Sequence, residues 1–200
     1  MNQPIKILLS SNNPGKVSII SNFAKNYGYQ IYSPNQLGIT EIEVEETGST
    51  YEENALLKFN AYKDKVPDDF YILADDTGIE ITALGGEPGI HSRRWNGTTM
   101  TDDEIIDYAL LKMKNLEKDN RNAKFVSFII FGKTDLPKTF VGELHGQLLE
   151  KSDTNFKPRP GLPFRQLFYV TEAGKMIDEY EKSGLLDHRQ KALKKAFESI

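Results

Sequence analysis

The chain has 200 residues, 38% hydrophobic and 10% aromatic, with a formal net charge of −4 and no cysteine. That length suits one domain, or one domain with two lobes, and the apolar content suffices for a core. The acidic balance gives no broad basic footprint for duplex nucleic acid, and the lack of cysteine excludes disulfides, thiolate metal sites and a cysteine nucleophile.

No apolar run approaches the ~18 residues of a membrane-spanning helix, so no membrane association is expected. The opening stretch MNQPIKILLSSNN lacks the basic and long apolar regions of a secretory signal, and the protein reads as cytoplasmic. Ile5 to Leu9 predicts a strand, and a helix follows from about Lys16 to Tyr27, with Val17, Ile20, Phe23 and Ala24 at helical spacing. Tyr29 to Tyr32 predicts a second strand. Thr50 and Glu53 form a capping box that opens a helix to about Val66, with Tyr51, Ala55, Phe59, Tyr62 and Val66 as its buried stripe. Tyr71 to Ala74 and Gly78 to Leu84 read as two strands, with Asp75 and Asp76 at the tip of the first. Gly85 to Gly97 is a glycine-rich connection. Thr101 and Glu104 cap a helix to about Leu116. Ala123 to Phe131 and Thr139 to Leu149 predict a long hairpin around Asp135 and Pro137, Lys151 to Pro163 a loop, and Asp187 to Phe197 a last helix. Strands alternating with helices and then a hairpin predict an α/β chain with a mixed sheet.

Three stretches carry groups suited to chemistry. SSNNPGK, ending at Lys16, lies between a strand and a helix, where backbone amides, a helix N-terminus and a lysine favour phosphate. It is not a Walker A loop, because Val17 stands where Ser or Thr is required; the alternative is an ordinary strand-to-helix turn. Glu45-Glu46-Thr47-Gly48 precedes the second helix, where acidic residues often serve as capping and dipole partners. In that helix Lys58 lies about 20° from Tyr51 at ~100° per residue, so it either snorkels or reaches an anion. Asp75 and Asp76 follow an apolar strand, where burying two carboxylates without partners is costly. A metal ion or a catalytic base resolves that cost; two solvated turn residues are the alternative. A phosphate loop, an inward lysine and two acidic sites together match what hydrolysis of a nucleoside triphosphate with Mg²⁺ requires.

The stretches LLSSNNPGKV, EETGSTYEENALLK and ILADDTGIEITALGGEPGIHSRRWNG, with HRQKAL near the end, resemble the inosine/xanthosine triphosphate pyrophosphatase (Ham1-like) family. The resemblance covers roughly residues 5 to 97, and Asp187 to Leu193 more weakly. It implies an elongated α/β fold, a single domain over 1–200 with a central mixed sheet, and two lobes with a nucleotide cleft between them. It also implies a homodimer, Mg²⁺ dependence and hydrolysis of non-standard purine nucleoside triphosphates to monophosphate and pyrophosphate. By position, Ser11, Asn13 and Lys16 would hold phosphates, and Lys58 would meet the triphosphate. Glu45 and Asp76 would bind metal, with Asp75 nearby. Asp76 would also be the general base, and Thr77 would touch substrate. His188 and Arg189 would contact the base or its edge, and Lys182 belongs to the same region.

The C-terminal half departs from the family pattern Gly-Phe-Gly-Tyr-Asp-Pro-x-Phe. The corresponding residues here run from Gly161 to Phe168, with Leu162 at the stacking Phe and Arg165 at the base-reading Asp. Asp187 replaces the Ser of Ser-His-Arg, and Lys182 is one residue farther from His188. Phe164 is the candidate to replace the lost stack. Arg165 offers donors where an acceptor is expected, which suits carbonyl oxygens on the base. A pyrophosphatase for another modified or pyrimidine nucleotide, and an idle nucleotide-binding protein, are the competing expectations.

Overall fold

The computed structural model describes residues 4–40, 42–153 and 157–200. In chain order their strands and α-helices are β1 (Lys6–Leu9), α1 (Pro14–Ala24), β2 (Gln30–Tyr32), α2 (Tyr51–Tyr62), β3 (Tyr71–Ile81), β4 (Pro88–Gly89), α3 (Asp102–Lys112), β5 (Asn122–Gly132), β6 (Lys138–Leu148), β7 (Phe168–Val170), β8 (Lys175–Met176), α4 (Ile177–Lys182) and α5 (His188–Phe197). The strands form one mixed eight-stranded sheet in the order β2-β1-β3-β5-β6-β7-β8, with β4 paired to β3. β1 runs parallel to β2 and β3, with Ile7 opposite Ile31 and Tyr71. β4 pairs antiparallel to β3, and β7 antiparallel to both β6 and β8. The fold is thus the mixed α/β sheet that the pattern predicts.

The chain divides into two compact units: Met1–Asp76, Ser127–Gly142 and Arg189–Ile200 form the first, Thr77–Val126 and Glu143–His188 the second. In the first unit, Asn13 caps α1, its side chain accepting from the Gly15 and Lys16 amides at 2.9 and 3.1 Å, and Pro14 occupies the first helical position. α2 opens on the predicted capping box, Thr50 Oγ1 accepting from the Glu53 amide and Glu53 Oε2 from the Thr50 amide. It ends at Tyr62 rather than near Val66, since Pro67 disfavours helical backbone in the residue before it. Val66 still joins the core from the following turn. There, Ala55, Phe59 and Tyr62 of α2 pack with Leu8, Ile72, Ala74 and Ile130. Phe23, Tyr27, Tyr29 and Phe131 surround Phe197 with ring centroids 5.2–6.3 Å apart, seating α5. Fully buried side chains among these, such as Phe59 and Phe197, each stabilise the unit by about 1.5–3 kcal/mol, and the half-buried Tyr27 and Tyr29 less.

The second unit is built on Ile79 and Ile81 of β3, Ile105, Ile106 and Ala109 of α3, and Phe125, Leu148 and Phe168. Gly146 of β6 lies against the Tyr169 carbonyl and the Phe168 ring, and a Cβ there would overlap both.

The largest departure from expectation is β3. It is one continuous strand, so Asp75 and Asp76 lie in its middle, and they are not solvated turn residues. The short β4, β7, β8 and α4 also escape sequence reading. Of the predicted 151–163 loop, residues 154–156 lie outside the described residues; the rest carries no strand or α-helix, and Pro163 opens a 3₁₀ turn to Leu167.

Candidate active site

Successive side chains of a strand point to opposite faces. Asp75 and Asp76 therefore diverge, and their ion-pair partners come from different helices, α1 and α5 for Asp75 and α2 for Asp76. Asp75, 1% exposed, receives Lys16 of α1 at 2.9 Å and Arg189 of α5 at 3.3 Å. Lys16 Nζ also donates to the Asp75 carbonyl at 3.0 Å. Asp76, 6% exposed, receives Lys58 of α2 at 2.6 Å, and the same ammonium lies 2.7 Å from Glu46 Oε1. Charges in this cluster match one for one: Asp75, Asp76 and Glu46 against Lys16, Arg189 and Lys58. Buried charges paired in this way avoid the penalty that an isolated carboxylate would carry.

The electrostatics follow from that burial. Desolvation pushes Asp76 above the ordinary carboxylate value, against the pull of Lys58 and Lys16. Burial would lower Lys58, but Asp76 and Glu46 more than offset it and hold its pKa above the usual lysine value. Lys16 goes the other way: burial lowers it, Asp75 opposes this, and Lys58 and Arg189 push it further down. A carboxylate with a raised pKa beside two cations has the character of a general base for a reaction on an anionic substrate.

The two glutamates of the acidic run are placed differently. Glu45 is exposed, and Glu46 makes the contact with Lys58. Residues 42–48 alternate in burial, with Ile42, Val44, Glu46 and Gly48 inward. The apolar pair Ile42 and Val44 was the signal that placed Glu46, not Glu45, on the inner side. The strand-to-helix loop is also richer than expected. Asn13 Oδ1 is committed to capping, the Asn13 amide donates to Ser11 Oγ at 3.1 Å, and Ser10 Oγ and both amide atoms of Asn12 are buried without a hydrogen-bond partner. Among the described residues no group of three or more His, Asp or Glu is gathered as a metal cage.

The remaining candidates lie in the second unit, apart from Arg189. Thr77 is half-buried on β3, and Lys182 is exposed at the end of α4. Phe164 is buried in the core with its ring 6.3 Å from Trp95. His188 is buried and stacks on Phe125 at 4.6 Å with 12° between the rings. Arg165 departs most from expectation. It is 2% exposed, and its guanidinium donates to Asp178 at 2.7 and 3.0 Å, to Glu181, and to Asp187 at 3.2 Å. Its donors thus serve carboxylates of its own unit, because a buried guanidinium needs such partners. The unusual Asp187 is one of them. Burial, followed by the neighbouring Asp187 carboxylate, raises Glu181 to about 7.

An open mixed α/β sheet that buries paired carboxylates and lysines beside a strand-to-helix loop defines a class of nucleotide-handling proteins. A model of the Ham1 family matches residues 7–199, and the chain belongs to that family. It is 35% identical over 193 residues to a dITP/XTP pyrophosphatase of Thermoanaerobacter sp. (strain X514), covering 96% of this chain and 94% of the relative. A dITP/XTP pyrophosphatase of Bacillus subtilis is 32% identical, with 94% and 93% covered. Among solved structures, the Ham1 protein of Staphylococcus aureus superposes with a TM-score of 0.75 at 32% identity, covering 96% of each chain. A HAM1 protein from Coxiella burnetii gives 0.76 at 26% identity, covering 98% of each. No helix among the described residues is long and apolar enough to cross a membrane.

Proposed function

We propose that this chain, acting as a single domain, is a nucleoside triphosphate pyrophosphohydrolase that converts dITP- and XTP-type nucleotides to the monophosphate and pyrophosphate. The observation that carries this reading is Asp76, buried in β3 with a raised pKa and held by Lys58 beside Glu46. The relatives named dITP/XTP pyrophosphatase supply the substrate class.

The donor set fits Mg²⁺. Glu46 and Asp76 already bracket one cation, the Lys58 ammonium, with two hard oxygens, and Mg²⁺ takes one or two carboxylates and completes its shell from phosphates and water. Glu46 and Asp76 would hold it, and when bound it supplies positive charge to the phosphates. The protein's own groups do the rest. Ser11, Asn13 and Lys16 hold the phosphates at the start of α1, and Lys58 adds a second cation. The Asp76 carboxylate takes a proton from water as the water oxygen attacks the α-phosphorus. The bond from that phosphorus to the bridging oxygen breaks, and pyrophosphate leaves with the electron pair. Thr77, His188, Arg189, Phe164 and Lys182 are further substrate contacts proposed from the family resemblance. Arg165 acts indirectly, by fixing Asp178, Glu181 and Asp187. A cytoplasmic homodimer belongs to the same reading.

The test is pyrophosphate release with Mg²⁺ from inosine, xanthosine, guanosine, adenosine and uridine triphosphates. The expected order places inosine and xanthosine highest in kcat/KM. A preference for adenosine triphosphate, or no release from any member of the panel, defeats the proposal.

A further inference from the structure

Lys58 stands where a cation is needed whether or not metal is present. Its ammonium lies 2.6 Å from Asp76 Oδ1 and 2.7 Å from Glu46 Oε1, and its side chain is 13% exposed. Without it, two carboxylates would share a poorly solvated site with the ammonium that contacts both of them gone, which is unfavourable. A divalent ion on the same two oxygens would stand within a few ångströms of the ammonium, and the two cations would repel. We propose that Lys58 is an internal placeholder for the divalent cation: it neutralises Glu46 and Asp76 while metal is absent, and metal that takes those oxygens displaces it toward the substrate phosphates. This rests on the assignment of Glu46 and Asp76 as metal ligands.

The side chain suits such an exchange. A lysine carries a compact charge and three rotatable donors on a flexible four-carbon stem, so it can leave one anion for another without moving its helix. Lys16 differs in kind. It is held by both the carboxylate and the carbonyl of Asp75, on the other side of β3, and it acts on Asp76 only at longer range. The two lysines, alike in a list of phosphate-binding residues, therefore have different parts: Lys16 is fixed and Lys58 is exchangeable.

Manganese(II) is the probe, titrated into the full chain without nucleotide and followed by electron paramagnetic resonance. Lys58→Met is expected to tighten Mn²⁺ binding by about tenfold, within the usual range of coupling between linked binding events. Lys16→Met removes an equal charge nearby and is expected to change affinity less than about twofold. Lys58→Gln, which keeps an amide donor between the carboxylates, serves where the methionine variant does not fold. In the wild type, saturating Mg²⁺ is expected to raise the acylation rate of Lys58 several-fold, read by peptide mass spectrometry, and to leave Lys16 unchanged. Equal tightening in the Lys58 and Lys16 variants would reduce the effect to general charge removal and overturn the proposal. So would unchanged Lys58 labelling in wild type that binds Mn²⁺. No Mn²⁺ binding by the wild type, even with pyrophosphate present, would remove the metal assignment itself and the placeholder with it.

Discussion

Asp76 and Glu46 are both acidic, both near Lys58, and separable by substitution. Asp76→Asn keeps the side-chain shape and removes a buried charge, so the fold survives while the base is lost. Turnover falls on the order of 10² or more, with the melting temperature maintained. A kcat near wild type would sink the role of Asp76. Glu46→Gln leaves the base in place but weakens the hold on metal. It is expected to raise the Mg²⁺ concentration for half-maximal rate by about tenfold, as loss of one charged ligand contact implies. Glu45→Gln, at an exposed position, leaves that concentration unchanged. A titration of rate against Mg²⁺ on both variants decides which glutamate matters. The residue types at this site were legible in the sequence; that Glu46 is the glutamate meeting Lys58 depends on the phase of burial along residues 42–48, which an acidic run alone does not show.

At the scale of elements, the helix starts were legible because capping is local. Thr50 with Glu53, and Thr101 with Glu104, sit three residues apart and form as predicted. β3 was not legible as one strand, because two adjacent carboxylates look like a turn until their partners are known. Those partners lie 18, 59 and 114 residues away in sequence, in Lys58, Lys16 and Arg189, and no local window contains them. β4 and β8 are two residues each, too short to display a period. Gly146 offers a test of the second unit's strand packing. Gly146→Ala forces a methyl into the Tyr169 carbonyl and the Phe168 ring. It is expected to lower stability by roughly 1–3 kcal/mol, the usual scale of overpacking. Urea unfolding at equal protein concentration reads this; an unchanged midpoint would mean that β6 and β7 lie farther apart than described.

For the molecule as a whole, the Arg165 cluster makes stability depend on pH. Glu181 titrates near 7 in the folded chain and near 4.5 when unfolded. The folded state therefore binds more protons between those values, and stability falls as pH rises through that window and levels off above about 7. The loss is on the order of 3 kcal/mol at most, from 1.36 kcal/mol per unit. Asp178, Asp187, Arg159 and Arg165 face the same group. Glu181→Gln keeps the hydrogen bond and removes the titration. Urea midpoints at pH 5, 7 and 8.5 are expected to fall across the first interval in wild type and to flatten in the variant. Equal slopes would exclude Glu181 as the source. The sequence marked Arg165 and Asp187 as unusual, but their pairing needed the folded chain, since 22 residues separate them.

The divergence of Asp75 and Asp76 means that the doublet is not a duplicated part. Neither residue can deputise for the other, since reaching the opposite side would require β3 to slip by one position and turn its whole apolar set outward. Loss of either carboxylate should therefore leave its own signature. Asp75→Asn leaves Lys16 and Arg189 inside the protein without their anion. Breaking such a pair from one side costs about 3–5 kcal/mol, so this variant is expected to melt early while its surviving folded fraction still turns over substrate. Asp76→Asn is expected to do the reverse. A chain that lost both properties to the same degree in both variants would have its two aspartates on one side of the strand.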